Sequence, residues 1–444
     1  SLHRFLASLV GGKTLVVLGS RSGEEWLVRE TFGDNMYHLP GLDPESATVL
    51  AERVLERVGA TKYRQSTELQ QVLKLLRGYP LPIEVVLANL ATESPAQVLE
   101  ALQIGDVNLD AADSIQDKTR SILRCIDCSY SDVSPGAQGL LVCLAPFAGV
   151  GNVRFPGEYT EQLRRQTVLA TMPFDPWKNV LREATNWGLL APHSQADSVL
   201  VIQPTLPYFL RSRLQAPDQI ELRQAVETSF SQYYENMGAV FEHLITSKDA
   251  DERYLGQRLI YLEYENLVTA LHLALEVQGA MRYIYLALDE YWSWTQDVDL
   301  GIQIGASIVP RLEKYPQDEL AKDAGFTLMR ILSDIGLRLA TRKRYEEAEK
   351  AYQYSLEVTQ RLTGYDEASR AVWSANKYHQ LGLMAWEQRQ WEKAEQYYQQ
   401  ALQIRIKYNE RLDEASTYHN LGGVAQHQNQ WEKAEQYYQH ALLI

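Results

Sequence analysis

The stretch Trp391-Glu392-Lys393-Ala394-Glu395-Gln396-Tyr397-Tyr398-Gln399 returns unchanged forty residues later as Trp431-Glu432-Lys433-Ala434-Glu435-Gln436-Tyr437-Tyr438-Gln439. Around the first copy stand Tyr378, Leu381, Gly382, Ala385, Ala394, Tyr398 and Ala401. Around the second, at the same offsets, stand Tyr418, Leu421, Gly422, Ala425, Ala434, Tyr438 and Ala441. A looser copy lies upstream, with Leu332, Ile335, Gly336, Leu339, Ala348 and Tyr352 in register. Small residues such as Gly382, Ala394 and Ala401 let two antiparallel helices approach closely, and the large residues fill the spaces between repeats. One such helical pair cannot bury its own apolar face, so three or more must stack.

This pattern resembles the tetratricopeptide repeat. A spacing of forty rather than thirty-four residues resembles the long-helix variety of kinesin light chains, which implies a second helix about one turn longer in each repeat. The extra length of the upstream copy is assigned to the 363–370 connection. Repeats are expected over 331–444, continuing past Ile444, where no polar cap is seen. Residues 216–330 are expected to form degenerate helical pairs, since Ile260, Tyr264, Leu267, Leu271 and Ala274 keep helical periodicity. Such arrays bind a protein or peptide partner in a groove. One tyrosine of each Tyr-Tyr pair occupies a core position, which leaves Tyr397 and Tyr437, with Asn420, as candidate groove residues.

The whole chain, 444 residues with 45% hydrophobic and 23% charged residues, is an ordinary globular protein of about three domains. A net charge of −14 repels phosphate backbones, so no direct nucleic-acid partner is expected. Three cysteines among 444 residues make no disulfide framework and suit the cytoplasm. No apolar run reaches the 18 or so residues that span a bilayer, so no membrane association is expected. A Ser start and an end inside a repeat read as cut ends.

In the first two hundred residues, an apolar run at 13–21 follows an amphipathic helix at 2–10 and reads as a buried parallel strand ending at Arg21. Ligands of open α/β sheets bind beyond the carboxyl ends of strands, so Arg21 points to where a phosphate would lie. Residues 7–14 fit a relaxed phosphate-loop pattern but fail its context, because here the helix precedes the strand. Asp43-Pro44 caps a helix at 45–58, and Ser94 with Gln97 makes a capping box for another. Between them lie amphipathic helices at 65–77 and 84–90, separated by Gly78-Tyr79-Pro80. Three helices (118–130, 135–144, 176–186) and a hairpin (188–191, 198–203) then read as a winged helix. Its helix around Leu181-Arg182-Glu183-Ala184 shows no arginine-rich DNA-reading face. Cys125 and Cys128 have metal or redox spacing but no second pair, and the nine histidines form no ligand pair, so no metal site is expected.

This order of elements resembles the signal-transduction ATPases with numerous domains. The resemblance implies a mainly α chain: a short α/β remnant of a nucleotide-binding domain (1–42), a small helical domain (43–112), a winged helix (113–215), a helical linker (216–330) and a tetratricopeptide α-solenoid (331–444). It implies that Arg21 reads the γ-phosphate of ATP and that Pro80 of the Gly78-Tyr79-Pro80 turn packs on the adenine. Gln203 stands where the family histidine holds the ADP β-phosphate; it can donate a hydrogen bond there but brings no positive charge. The phosphate loop and the magnesium-binding strand would lie before Ser1, so this stretch is not expected to be catalytic, while the parent protein would be a slow ATPase holding ADP or ATP with Mg. The expected function is a nucleotide-dependent switch that senses a partner through its repeats and forms a homo-oligomer when activated. The alternatives are a repeat scaffold with a vestigial nucleotide module, and a transcription regulator whose DNA-binding domain lies elsewhere.

Overall fold

The computed structural model describes residues 42–444 apart from 77, 92, 105–125, 128–129, 132, 149, 153–155, 171, 175–176, 194–195 and 203–205. Arg21, Gln203, Cys125 and Cys128, and the strand expected at 13–21, lie outside the described residues. The chain is mainly helical and divides into two compact units, 1–223 and 224–444.

The first unit opens with four helices, α1 (Pro44–Arg57), α2 (Thr67–Leu76), α3 (Pro80–Ala88) and α4 (Pro95–Ile104). Asp43 caps α1, its Oδ1 accepting the amides of Glu45 at 3.1 Å and Ser46 at 2.9 Å. The Ser94 capping box is formed in both directions, with the Ser94 amide on Gln97 Oε1 at 2.9 Å and the Gln97 amide on Ser94 Oγ at 3.4 Å. The core of this group is Val54, Leu55, Leu69, Val72, Leu76, Ile83, Leu87 and Leu102, among others. Helix α3 begins four residues earlier than its sequence suggests. Pro80 and Pro82 both fall in the first turn, where a helix leaves its amides unbonded and a proline costs nothing.

The rest of this unit holds α5 (Pro135–Leu141), β1 (Val150–Asn152), α6 (Pro156–Arg164), α7 (Trp177–Asn186), β2 (Leu190–His193), β3 (Ala196–Ile202) and α8 (Leu206–Leu214). The three strands form an antiparallel sheet in the order β1-β3-β2, with Val150 opposite Val201 and Leu190 opposite Ile202. Strand β1 and helix α6 are absent from the sequence reading, which has helices directly before a hairpin. Helix α6 is held by Tyr159, whose buried hydroxyl donates to the Cys143 carbonyl at 2.6 Å. The α7 carboxylate of Glu183 accepts the amide and hydroxyl of Ser134, closing the start of α5.

The second unit opens in α9 (Ile220–Ile245) and continues through α10 (Ala250–Val277), α11 (Arg282–Trp294), α12 (Val298–Leu312), the short α13 (Gln317–Leu320), α14 (Asp323–Thr341), α15 (Tyr345–Arg361), α16 (Glu367–Glu387), α17 (Trp391–Tyr408), α18 (Arg411–His427) and α19 (Trp431–Leu443). In the pairs α14/α15, α16/α17 and α18/α19 a glycine of the first helix faces a tyrosine ring of the second. A Cβ on Gly336 would lie 2.9 Å from Tyr352, and on Gly382 or Gly422 it would lie 2.6 Å from Tyr398 or Tyr438. The periodic glycines are thus the contact points of the helical hairpins.

Each hairpin turns through one left-handed residue: Lys343, Arg389 and Asn429, with φ of 58°, 58° and 62°. The amide of the residue after it reaches back to the first helix, as in Arg344 to Leu339 at 2.9 Å and Gln390 to Ala385 at 2.9 Å. Gln296, with φ 58°, makes the same turn between α11 and α12, and the Asp297 amide reaches Trp292 at 2.9 Å. The α11/α12 hairpin therefore repeats the turn without the sequence signature. The extra length between the first two full repeats is shared. It lies in the 362–366 connection, longer than the 409–410 one, and in the 21 residues of α16 against 17 in α18.

Candidate functional site

In the first unit the candidate residues Gly78 and Pro80 sit together between α2 and α3. Gly78 has φ +70°, its carbonyl accepts the Leu42 amide at 2.7 Å, and a Cβ there would meet the Leu42 oxygen at 2.2 Å. Only glycine fits this turn. Pro80 follows as the first residue of α3 and is exposed, so its ring is free to stack on a flat ligand.

In the second unit, Tyr397 and Tyr437 do not stand free. Their rings lie 6.5 Å and 6.2 Å from those of Tyr378 and Tyr418 on the first helix of their own repeats, and both pack against the core cluster of Ala385, Ala394, Tyr398, Leu402, Leu421 and Val424. A tyrosine next to the consensus one is half-buried by the partner helix, which the one-dimensional pattern does not show. Asn420 is separate from them and serves a polar junction between repeats.

That junction centres on Arg405 of α17, only 4% exposed. Its guanidinium donates to Asn376 Oδ1 at 3.0 Å and His379 Nδ1 at 3.0 Å on α16, to the Asp413 carbonyl at 2.8 Å, and to the Thr417 hydroxyl on α18. Burial, reinforced by Arg405, pushes the His379 pKa down to about 4. The imidazole is therefore neutral at neutral pH, with Nδ1 accepting and Nε2 carrying the proton. The Asn420 amide lies 3.3 Å from Nε2, which requires its oxygen to face the ring.

A second junction joins the first helices α11, α14 and α16. Arg338 reaches Asp289 at 2.6 Å, and Arg330 reaches Asp334 at 3.0 Å and Asp289 at 4.0 Å. The buried Tyr285 hydroxyl donates to Asp334 at 3.3 Å. Gly301 of α12 makes room for this: a Cβ there would sit 2.4 Å from Arg338 Nε. Burial, with Asp289 nearby, raises the Asp334 pKa to about 6. Lys377 of α16 is 8% exposed and faces Arg330 and Asp334. Burial first, then Arg330, lowers its pKa to about 8. Among the described residues its ammonium has no hydrogen-bond acceptor and no ion pair.

None of these junction residues other than Asn420 is prominent in the repeat pattern. The available signal is a charge inside an apolar run, such as Asp334 in Ile331-Leu332-Ser333-Asp334-Ile335. A buried carboxylate must have a partner, but the sequence does not say which.

On the second helices the charges form a ladder between repeats: Lys393 on Glu349 at 2.6 Å, and Lys433 on Glu395. Among the described residues no group of three or more potential metal ligands gathers, and no helix is long and apolar enough to cross a membrane.

Family models of the tetratricopeptide repeat match residues 328–367 and 373–443. No curated protein matches the chain. Among solved structures, it is similar to a signal transduction ATPase with numerous domains carrying a tetratricopeptide repeat sensor, from Pyrococcus horikoshii, at 15% identity over 90% of this chain and 65% of that one, with a TM-score of 0.33. It is also similar to BtubC (BKLC) from P. vanneervenii, at 17% identity over 65% of this chain and 88% of that one, with a TM-score of 0.27. The chain spans less than two thirds of the length of the first of these. Residues 328–367 and 373–443 are tetratricopeptide repeats, and they form a C-terminal helical solenoid of the kind that mediates contact between proteins.

Proposed function

We propose that this chain is the sensor and regulatory part of a cytoplasmic nucleotide-dependent switch of the signal-transduction ATPase type. The repeats capture a protein or peptide, and the first unit couples that capture to ADP or ATP, held with Mg, and to homo-oligomer formation. The observation that carries this reading is the Gly78-Tyr79-Pro80 turn. Its glycine is locked by Leu42, so that an exposed proline ring stands at the start of α3, where it can stack on an adenine. The second half of the first unit supports it, because helix, strand, two helices and a two-stranded hairpin, with sheet order β1-β3-β2, is the element order that a winged helix would need. Arg21 and Gln203 would contact the phosphates.

ADP titrated by calorimetry into the full-length protein tests this. Saturable binding that Pro80→Ala weakens about tenfold, roughly 1.4 kcal/mol, is expected. A second reading, a repeat scaffold that does not switch, is favoured by Gln203 in the place of the family histidine. Full-length protein that binds no ADP would leave only that one.

A further inference from the structure

A cavity of about 210 Å³ opens between the turn that joins α10 to α11, the start of α11, Tyr315 after α12, and the start of α14. At ~30 Å³ each it has room for about seven waters, which suits a small molecule and falls short of the roughly 300 to 1,000 Å³ of drug-sized sites. Its walls are held in place. The Tyr315 hydroxyl is shared between the carbonyls of Ala274 at 3.2 Å and Gly279 at 3.1 Å, and Gln278 Nε2 donates to the Lys314 carbonyl at 3.1 Å. The charged groups that line it are not paired with one another. Arg282, the first residue of α11, lays its guanidinium over the Phe326 ring, 4.3 Å from the centroid. Among the described residues it has neither an ion pair nor a side-chain hydrogen bond, and its Nε is buried without a partner. Three carboxylates line the same cavity. Glu235 is committed to the amides of Tyr283 at 3.0 Å and Ile284 at 3.2 Å. Asp323 accepts from the neutral Tyr365 hydroxyl at 2.7 Å, and Glu319 has no side-chain partner among the described residues.

We propose that this cavity binds a free α-amino acid, its carboxylate on Arg282 and its ammonium between Glu319 and Asp323. A simple anion would suit Arg282 but be repelled by the carboxylates, and a simple cation would meet the reverse. A ligand that carries both charges a few bonds apart satisfies both ends. Stacking on Phe326 fixes the plane of the Arg282 guanidinium, which can then take a carboxylate through two nitrogens. Met281 and Ala324 add an apolar part to the lining, where the ligand's own side chain would lie. The cavity precedes residue 328, where the matched repeats begin, so the proposal stands apart from peptide capture by those repeats and from nucleotide binding at Pro80.

The test is thermal melting of the intact chain with each of the common free amino acids in turn, followed by calorimetry with those that raise Tm. At least one should bind saturably, at one site per chain. Its amide, which lacks the carboxylate, and its N-acetyl derivative, which lacks the ammonium, should each bind at least tenfold more weakly. Arg282→Met, which keeps the aliphatic stem, should weaken the free amino acid at least tenfold. Glu319→Gln, at an exposed position, should weaken it at least threefold and gives an independent loss should Arg282→Met misfold. Three results would overturn the site: no amino acid bound, an amide or N-acetyl derivative bound as tightly as the parent, or binding indifferent to Arg282→Met and Glu319→Gln.

Discussion

The first and second helices of the repeats use the same residue types to opposite ends. On the second helices, Lys393 with Glu349 and Lys433 with Glu395 recur from repeat to repeat, with lysine side chains 37% and 38% exposed. On the first helices, Asp289, Arg330, Asp334, Arg338 and Lys377 form one non-repeating cluster that is largely buried. Their carboxylates, Glu349 and Glu395, are 14% and 19% exposed, but the lysine end of each pair stays in solvent, so a broken pair costs less than a fully buried one. Buried charges have no water to return to, so each depends on its neighbours. A charge that recurs with the period belongs to the scaffold, whereas one that breaks the period and is buried is a candidate for function.

The sharpest way to break this contrast is Asp289→Ala, which leaves Arg338 buried without its carboxylate. It should cost about 3 to 5 kcal/mol in urea denaturation, and a loss below about 1 kcal/mol would mean the cluster is wetter than its burial indicates. Lys377→Met should act with the opposite sign. Its folded pKa, about 8, lies below the ordinary lysine value of 10.5, so below pH 8 the folded state carries an expensive charge, and stability recovers as pH rises from 8 to 10.5. At 1.36 kcal/mol per pKa unit the penalty is on the order of 3 kcal/mol. The variant should therefore be more stable than the natural protein at pH 7, with the difference vanishing near pH 10.5. A variant less stable at pH 7 would show that Lys377 already has a partner. The smallest effect is expected on the ladder, where Lys393→Met should change stability by less than about 1 kcal/mol, and by less still in 1 M salt.

How much of this was legible depended on sequence distance. Gly382 and Tyr398 recur with the repeat, so period alone marked both positions, although their contact within one hairpin was not read from it, and the caps at Asp43 and Ser94 are local by nature. Strand β1 is three residues long and acquires its identity by pairing with Val199–Val201, some fifty residues on. No local propensity marks it. The α11/α12 hairpin was hidden for another reason: its turn matches the others, but Asp289 stands where the later repeats have glycine. The partners of Asp334 and Arg405 come from separate helices, so their chemistry became readable only once those helices were side by side. The half-burial of Tyr397 and Tyr437 was not legible, because the pattern records which positions are consensus, and not which are covered by the neighbouring helix. Among the described candidate nucleotide residues, Gly78 and Pro80 were legible because a glycine and a proline impose their own backbone.

Arg405 ties Asn376 and His379 on one side to Asp413 and Thr417 on the other, across the boundary between two repeats. In a linear array each unit touches only its neighbours, and cooperativity is a sum of nearest-neighbour couplings. A junction with four hydrogen bonds from one guanidinium is a strong coupling, and one whose acceptors are useless apart. The repeats on either side of Arg405 are therefore set to melt together, and fraying that begins at α19 must stop at that bond or pass through both.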